Sequence, residues 1–595
     1  MMRRHLIQTA GAFSLLAGTA TAQSAGFKRV RPGEPGWPSD AQWQELNAKV
    51  GGQLTAVRSP LDACKGSDKA ACEAVFKQFK NPYFIRDNVA LTQTTGWAEA
   101  WTSSPSAYAI DARNAADVAA AVNFAREHKL RLVVRGGGHA YQGTSNAPDS
   151  LLIRTRPMDA IELHDAFVAK GCTDAPQQAV SLGAGCIWLK AYQAVTKAGR
   201  YVQGGGCVTV GVAGLVSGGG FGSFSKNFGT AAASLLEAEI VTADGQVRIA
   251  NACTNADLFW ALKGGGGGSF GVVTRLTLKT HPLPNFLGGA FGAIEASTPE
   301  AYRKLIAAFL RFYREKLFNP NWGESVRFRR DNVLDIEMVF QGLDPQAAQA
   351  TWKPFLDWVA ASPDDYVWIR PLTPLAGPAH FFWDAAFLRQ YAPSAIRWDD
   401  RPGAPADAIY WAANVGEAGW FLHNYESAWV PQKLLTEGDG EALIDAMFAA
   451  SRQWSIQLHF NKGLAGAPKE AIAASRNTAT NPAVVDAVAL AIVSASGAPA
   501  MPGVAGHAPN LALAKVEAAA VRACIGELTK VAPNSGAYCS ESSYFQKDFQ
   551  QAYWGANYER LRAIKQKVDP DGLFFVHNGV GSEGWSRDGF VRLAG

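Results

Sequence analysis

Four glycine-rich runs set the strongest limit on how this chain can fold. The first reads Val133-Val134-Arg135-Gly136-Gly137-Gly138-His139-Ala140-Tyr141-Gln142-Gly143, the second Gln203-Gly204-Gly205-Gly206-Cys207-Val208-Thr209-Val210-Gly211. Ser217-Gly218-Gly219-Gly220-Phe221-Gly222 and Gly264 to Gly268 complete the set. Glycine permits backbone conformations and close approaches that a side chain blocks, so the runs predict loops wrapped on a ligand. His139 and Cys207 each stand among these glycines as a nucleophilic side chain. Both are candidate attachment points for whatever the loops hold.

At 595 residues the chain exceeds the size at which a single core stops growing, so two or more domains are expected. Lys and Arg number 56 against 52 Asp and Glu, with no basic run, which argues against nucleic-acid and membrane partners. Residues 1–22 read as an export signal: Arg3-Arg4, an apolar segment around Phe13-Ser14-Leu15-Leu16, then Ala20-Thr21-Ala22 before Gln23. The arginine pair leaves twin-arginine and plain secretory export both open. The apolar part is too short to span a bilayer, and no later segment reaches about 18 uninterrupted apolar residues. Export makes disulfides expected among eight cysteines, and Cys64 with Cys72 is the easiest pair to bridge. Pairing among Cys172, Cys186, Cys253, Cys524 and Cys539 does not follow from spacing.

Residues 23–80 carry little periodicity and read as an N-terminal extension. An α/β pattern then begins: Asn114 caps a helix to about Glu127, and Arg131 to Val134 is a strand entering the first glycine loop. Ala179 to Leu182 is a strand, Ile187 to Ala198 a helix, and Glu237 to Ile249 a hairpin around Asp244-Gly245. Val272 to Leu278 closes the block, and His281-Pro282-Leu283-Pro284 marks a boundary. Beyond it the spacing predicts helices over Pro299 to Phe318 and Pro345 to Val359, a hairpin around Asp331-Asn332, a strand over Ser455 to Asn461 and an Ala-rich helical stretch over Pro482 to Ser494. The C-terminal segment predicts a helix over Trp554 to Val568 and a returning strand over Leu573 to Asn578. The fold class is α+β: a segment 81–285, a unit 286–524 of antiparallel sheet backed by helices, and a segment 525–595 that returns to the first.

A nicotinamide-type dinucleotide site is a poor match. Gly183-Ala184-Gly185-Cys186-Ile187-Trp188 lacks the third glycine and the acidic residue some 20 positions on. The glycine loops instead offer backbone N–H groups suited to a pyrophosphate held in nests. Taken in order, Arg135 to His139, Gly205 to Gly211, Ser217 to Gly220, Lys263 to Gly271 and the closing Trp554-Gly-Ala-Asn-Tyr-Glu-Arg-Leu561 with Val568-Asp569-Pro570 resemble the berberine-bridge-enzyme-like FAD-linked oxidases. These belong to the vanillyl-alcohol-oxidase superfamily. The resemblance implies a PCMH-type FAD-binding domain in two pieces around a substrate domain, and FAD attached twice, through the 8α position to His139 and through C6 to Cys207. It further implies cofactor contacts from Arg135, Gly136, Gly137, Gly138, Ala140, Tyr141, Gly206, Thr209, Gly211, Gly214, Ser217, Gly218, Gly219, Gly220, Gly222 and Val272. No metal is implied.

In relatives the residue at Val210 gates oxygen, and a small one there goes with oxidase behaviour. Where many relatives carry a histidine, this chain has Leu215, and His577 and Asn578 are candidate substitutes at the flavin. Removal of a hydroxyl proton needs a base. Gln457, His459 and Asn461 alternate onto one face of a strand, directed at the flavin or at solvent, with Lys462 adjoining. Tyr538 matches a family tyrosine, with Glu541 nearby, and as a phenolate base it would need a cationic neighbour. The resulting expectation is an exported, monomeric oxidase (periplasmic or secreted) that oxidises a sugar or oligosaccharide hydroxyl and reduces O2 to H2O2. The alternatives are a phenolic, alkaloid or polyketide-like substrate, a dehydrogenase with another acceptor, or a flavoprotein that only binds.

Overall fold

The computed structural model describes residues 27–66 and 69–593, so the expected leader lies outside the described residues. Local signals set many of the elements. Asn114 accepts a hydrogen bond from the Asp117 amide at 2.9 Å and starts the helix Ala115–Glu127. Thr298 and Asp344 cap Pro299–Phe312 and Pro345–Ala360 in the same way, each followed by a proline whose missing N–H costs nothing at that position. The first of these continues as a π turn over Tyr313–Leu317.

Three main sheets carry the chain. Leu54–Ala56, Tyr108–Asp111, Ser150–Arg154 and Arg131–Arg135 form a small sheet whose last three strands are parallel. A six-stranded sheet follows, built on Val272–Pro282, which pairs with Leu235–Val241, Gln177–Gly183 and Arg200–Val202. A ten-stranded sheet opens at Phe286–Ala296 and is antiparallel through Val333–Gln341, Trp322–Phe328, Ile456–His459, Ala487–Gly497 and Phe421–Pro431. Pro299–Phe312, Glu441–Gln453 and Leu511–Val531 back it on one face, and the cavity occupies the other.

The structure corrects four expectations. The Ala-rich stretch is no helix: a short turn, Pro482–Val485, leads into the strand Ala487–Gly497, paired on both sides. Its alanines 489 and 491 pack with the helical layer while Leu490 and Ile492 pack on the opposite face. Burial on both faces overrides alanine's helix preference. The returning strand is reduced to a single bridge, Leu132 with Phe574. There the Asp569 carboxylate accepts from the Leu573 and Phe574 amides at 2.7 and 2.9 Å, taking donors a ladder would need. The N-terminal extension is part of the first lobe, because Leu54–Ala56 pairs with Tyr108–Asp111 and Trp43 stacks on Tyr108 at 4.0 Å. Finally, a division at 524/525 cuts through Leu511–Val531, so the chain leaves the helical layer only after Val531.

Lys226 joins the lobes. It is fully buried and donates to the Gly463 and Ala465 carbonyls at 2.8 Å each. Two disulfides are present, Cys64–Cys72 as expected and Cys172–Cys253, which spacing did not indicate. The second closes a span of 81 residues against 8 for the first. Loop-closure entropy then assigns about 4.5 kcal/mol to it and about 2.5 kcal/mol to the first. Cys253→Ser should therefore lower the melting temperature more than Cys72→Ser in non-reducing calorimetry. An equal or reversed order would refute this ranking.

Candidate active site

The first two glycine loops meet backbone to backbone. A Cβ on Gly137 would lie 2.3 Å from the Gly211 nitrogen, and one on Gly211 would lie 2.4 Å from the Gly137 nitrogen. Only glycine at both positions allows this approach. It brings His139 and Cys207 to one hydroxyl: Thr209 Oγ1 is 3.2 Å from His139 Nε2 and 3.5 Å from Cys207 Sγ. Burial lowers the His139 pKa to about 4, so the ring is neutral. Burial, and then the nearby Glu417, push the Cys207 thiol up to about 12.

Both side chains open onto a cavity of about 1600 Å³. Single-ligand pockets run to roughly 1000 Å³, so there is room for a cofactor and a substrate together. Gly136, Gly137, Gly138, Ala140, Tyr141, Gly206, Gly211, Gly214 and Ser217 line it, as do Gly266 to Ser269 from the fourth run. Ser145 Oγ, Thr155 Oγ1, Ser269 Oγ and Asn461 Oδ1 are buried in this wall without a hydrogen-bond partner among the described residues. Buried polar atoms are costly unless satisfied, and this distribution fits a long polar cofactor such as FAD.

Several expected contacts lie elsewhere. Arg135 is buried with its guanidinium on the carbonyls of Leu91 (2.8 Å), Val89 (2.6 Å), Asn88 and Ser145 (3.2 Å each), so it clamps the segment beneath the loop and does not line the cavity. Gly218, Gly219, Gly220 and Gly222 pack on Ser540, Thr480, Leu215 and Gly204 rather than forming the wall. Val272 is fully buried, and its neighbour Val273 faces the cavity instead. Thr209 stands behind the wall. His577 and Asn578 do reach the wall, but from a turn, and both spend a nitrogen on the Tyr544 carbonyl, at 2.8 and 3.1 Å. Burial lowers the His577 pKa to about 4, so it brings no charge to the place where Leu215 lacks one.

Val210, His459, Asn461, Tyr538 and Glu541 all line the cavity. Strand register explains part of this: Phe291, Glu337, Ser325 and His459 are successive cross-strand neighbours, so one row of the ten-stranded sheet faces the site. Gln457 lies in the next row beside Arg327, whose Nη2 donates to Gln457 Oε1 at 3.3 Å. Burial, with Lys462 and Arg327, holds the His459 ring well below the usual histidine range, and it is neutral. Lys462 pairs with Glu541. Among the described residues no cation acts on Tyr538; burial, Cys539 and Glu541 raise its phenol, which argues against its reading as a phenolate base.

Glu417 was missed. It ends the turn Ala412–Glu417, where no periodic signal marks it, and accepts from the Tyr141 hydroxyl at 3.4 Å. Burial and then the Glu541 charge raise it to about 7, against the opposing pull of Lys462. Glu324, bonded to Ser223 Oγ, is likewise raised by burial. Lys462 thus partly offsets both raised carboxylates, and Glu417 is the one pushed up to about 7.

The FAD binding domain family matches residues 106–251, and the berberine and berberine-like family matches residues 537–581. The FAD-linked oxidoreductase easE of Trichophyton verrucosum is 30% identical over 97% of this chain and 94% of its own length. A VAO-type flavoprotein oxidase of Thermothelomyces thermophilus is 29% identical over 98% of both chains. The crystal structure of a VAO-type flavoprotein of Myceliophthora thermophila is similar with a TM-score of 0.75 at 26% identity, covering 94% of this chain and 98% of that one. With this likeness running nearly end to end and glycine loops walling a cofactor-sized cavity, the chain belongs to the berberine-bridge-enzyme-like, VAO-type FAD-linked oxidoreductases.

Proposed function

We propose that this oxidoreductase is an exported oxidase that holds FAD through both His139 and Cys207 and oxidises an alcohol with molecular oxygen. The carrying observation is that the imidazole and the thiol share one hydroxyl and open side by side onto the cavity. When bound, FAD supplies a two-electron acceptor that oxygen can reoxidise to give hydrogen peroxide. The chain's own groups do the rest. Glu417 takes the hydroxyl proton, and Tyr141 holds its Oε2 in place. His459, neutral, and Asn461 supply hydrogen bonds to the substrate, and the Lys462–Glu541 pair fixes the local charge. Val210 in the wall supports access by oxygen, and the leader motif with two disulfides supports export.

A sugar or oligosaccharide hydroxyl suits the polar floor of Glu417, Gln457, His459 and Asn461, with Trp411 and Trp420 as stacking surfaces. The mouth supports a second reading. There Phe291, Leu375 and Tyr391 are 48%, 68% and 65% exposed, and Phe381 stacks on Phe387 at 4.4 Å. Such a rim fits a phenolic, alkaloid or polyketide-like alcohol. A mixed panel of sugars and phenols, with peroxide as readout and flavin bleaching followed under anoxia, separates the two. Bleaching without peroxide on air admission would indicate a dehydrogenase, and no bleaching a protein that only binds.

Two further outcomes are expected. After acid precipitation the flavin should stay with the protein, and Cys207→Ala should leave a single link; yellow colour in the wild-type supernatant would sink the tether. Glu417 acts when deprotonated, so kcat/KM should rise as pH passes about 7. Glu417→Gln should abolish that limb and lower the rate by about 10²- to 10⁴-fold. A variant that keeps the wild-type profile would exclude Glu417 as the base.

A further inference from the structure

Thr209 is 3% exposed and lies outside the cavity wall, yet its hydroxyl touches both residues assigned to the tether. A hydroxyl has one proton and can donate it only once. If it donated to His139 Nε2, the proton of the neutral ring would sit on Nδ1. Neither ring nitrogen would then keep a free lone pair, and the sulfur would lose its hydroxyl donor. The reverse arrangement serves both groups. Nε2–H donates to Thr209 Oγ1, and the Thr209 proton goes to Cys207 Sγ.

The sulfur needs that help. Reaction at sulfur proceeds through the thiolate, and burial disfavours it here, as does Glu417. Opposing them are the Thr209 hydroxyl and the backbone amides of Thr209 and Val210, all acting on Sγ.

We propose that Thr209 is the positioning residue of the flavin tether: it selects the imidazole tautomer that leaves Nδ1 free and donates a hydrogen bond to the Cys207 sulfur. This rests on the double-attachment reading, and the test separates the two failures. Holoproteins of the wild type, Thr209→Ser and Thr209→Val are precipitated in acid and digested, and flavin peptides at both sites are counted by mass. Wild type and Thr209→Ser should carry both links. In Thr209→Val the doubly linked fraction should fall about tenfold, the scale seen when a group orienting a ligand residue is lost. Total flavin per protein, retained and released together, shows that the variant folded and bound its cofactor. Should the valine protein fail to fold, Thr209→Ala is read in the same way. A valine or alanine variant doubly linked to the wild-type extent overturns the proposal, as does equal loss in Thr209→Ser. A wild type that releases its flavin overturns the attachment reading itself.

Discussion

The contact between the Gly137 and Gly211 backbones is the constraint on which the site depends. Each nitrogen occupies the space where the other residue's Cβ would be. Because the loops interlock there, the strand Arg131–Arg135 and the helix Val212–Ser217 hold a fixed separation. His139 and Cys207, two and four residues from the contact, then converge on Thr209. Arg135 secures the first loop from below by filling its donors with carbonyls. An arginine so placed is structural, even though it directly precedes the glycines.

Burial then sets the chemistry. Removing water from His139 and Cys207 keeps both uncharged, so a reactive form must be created by local hydrogen bonds rather than by bulk pH. The same desolvation raises Glu324 and Glu417, and Lys462 partly offsets both. Lys462 is committed to Glu541. Glu417, raised by burial and by the Glu541 charge, is left with an affinity for protons near neutrality, the condition a general base requires. The glycine loops and the strand that carries Glu324 belong to different parts of the chain, so these parts must be held in register. Lys226, buried between them on carbonyl oxygens, is one of the groups that does so.

How legible each part was depended on the range of the interaction that made it. Caps and prolines act over three or four residues, so Asn114, Thr298 and Asp344 announced their helices. Alternation over Gln457, His459 and Asn461 was readable, but its direction was not, because a pleat has two faces and only the sheet's neighbours decide which is buried. The strand Ala487–Gly497 was hidden by its alanines, which are small to admit the helices behind and not because they are helical. Glu417 gave no signal, since its character arises from burial beside Glu541, distant in sequence.

The chain by itself therefore determined the glycine loops, the two nucleophiles within them and the family order of motifs, because each is a local requirement written in consecutive residues. Tertiary structure alone decided which glycines wall the cavity and which merely pack, that Arg135 clamps backbone, and that burial raises the Tyr538 phenol. It also decided that Thr209 sits behind the pair and that a carboxylate from residue 417 faces it. These are matters of distance and dielectric between segments far apart in sequence, and neither exists until the lobes close around the cavity.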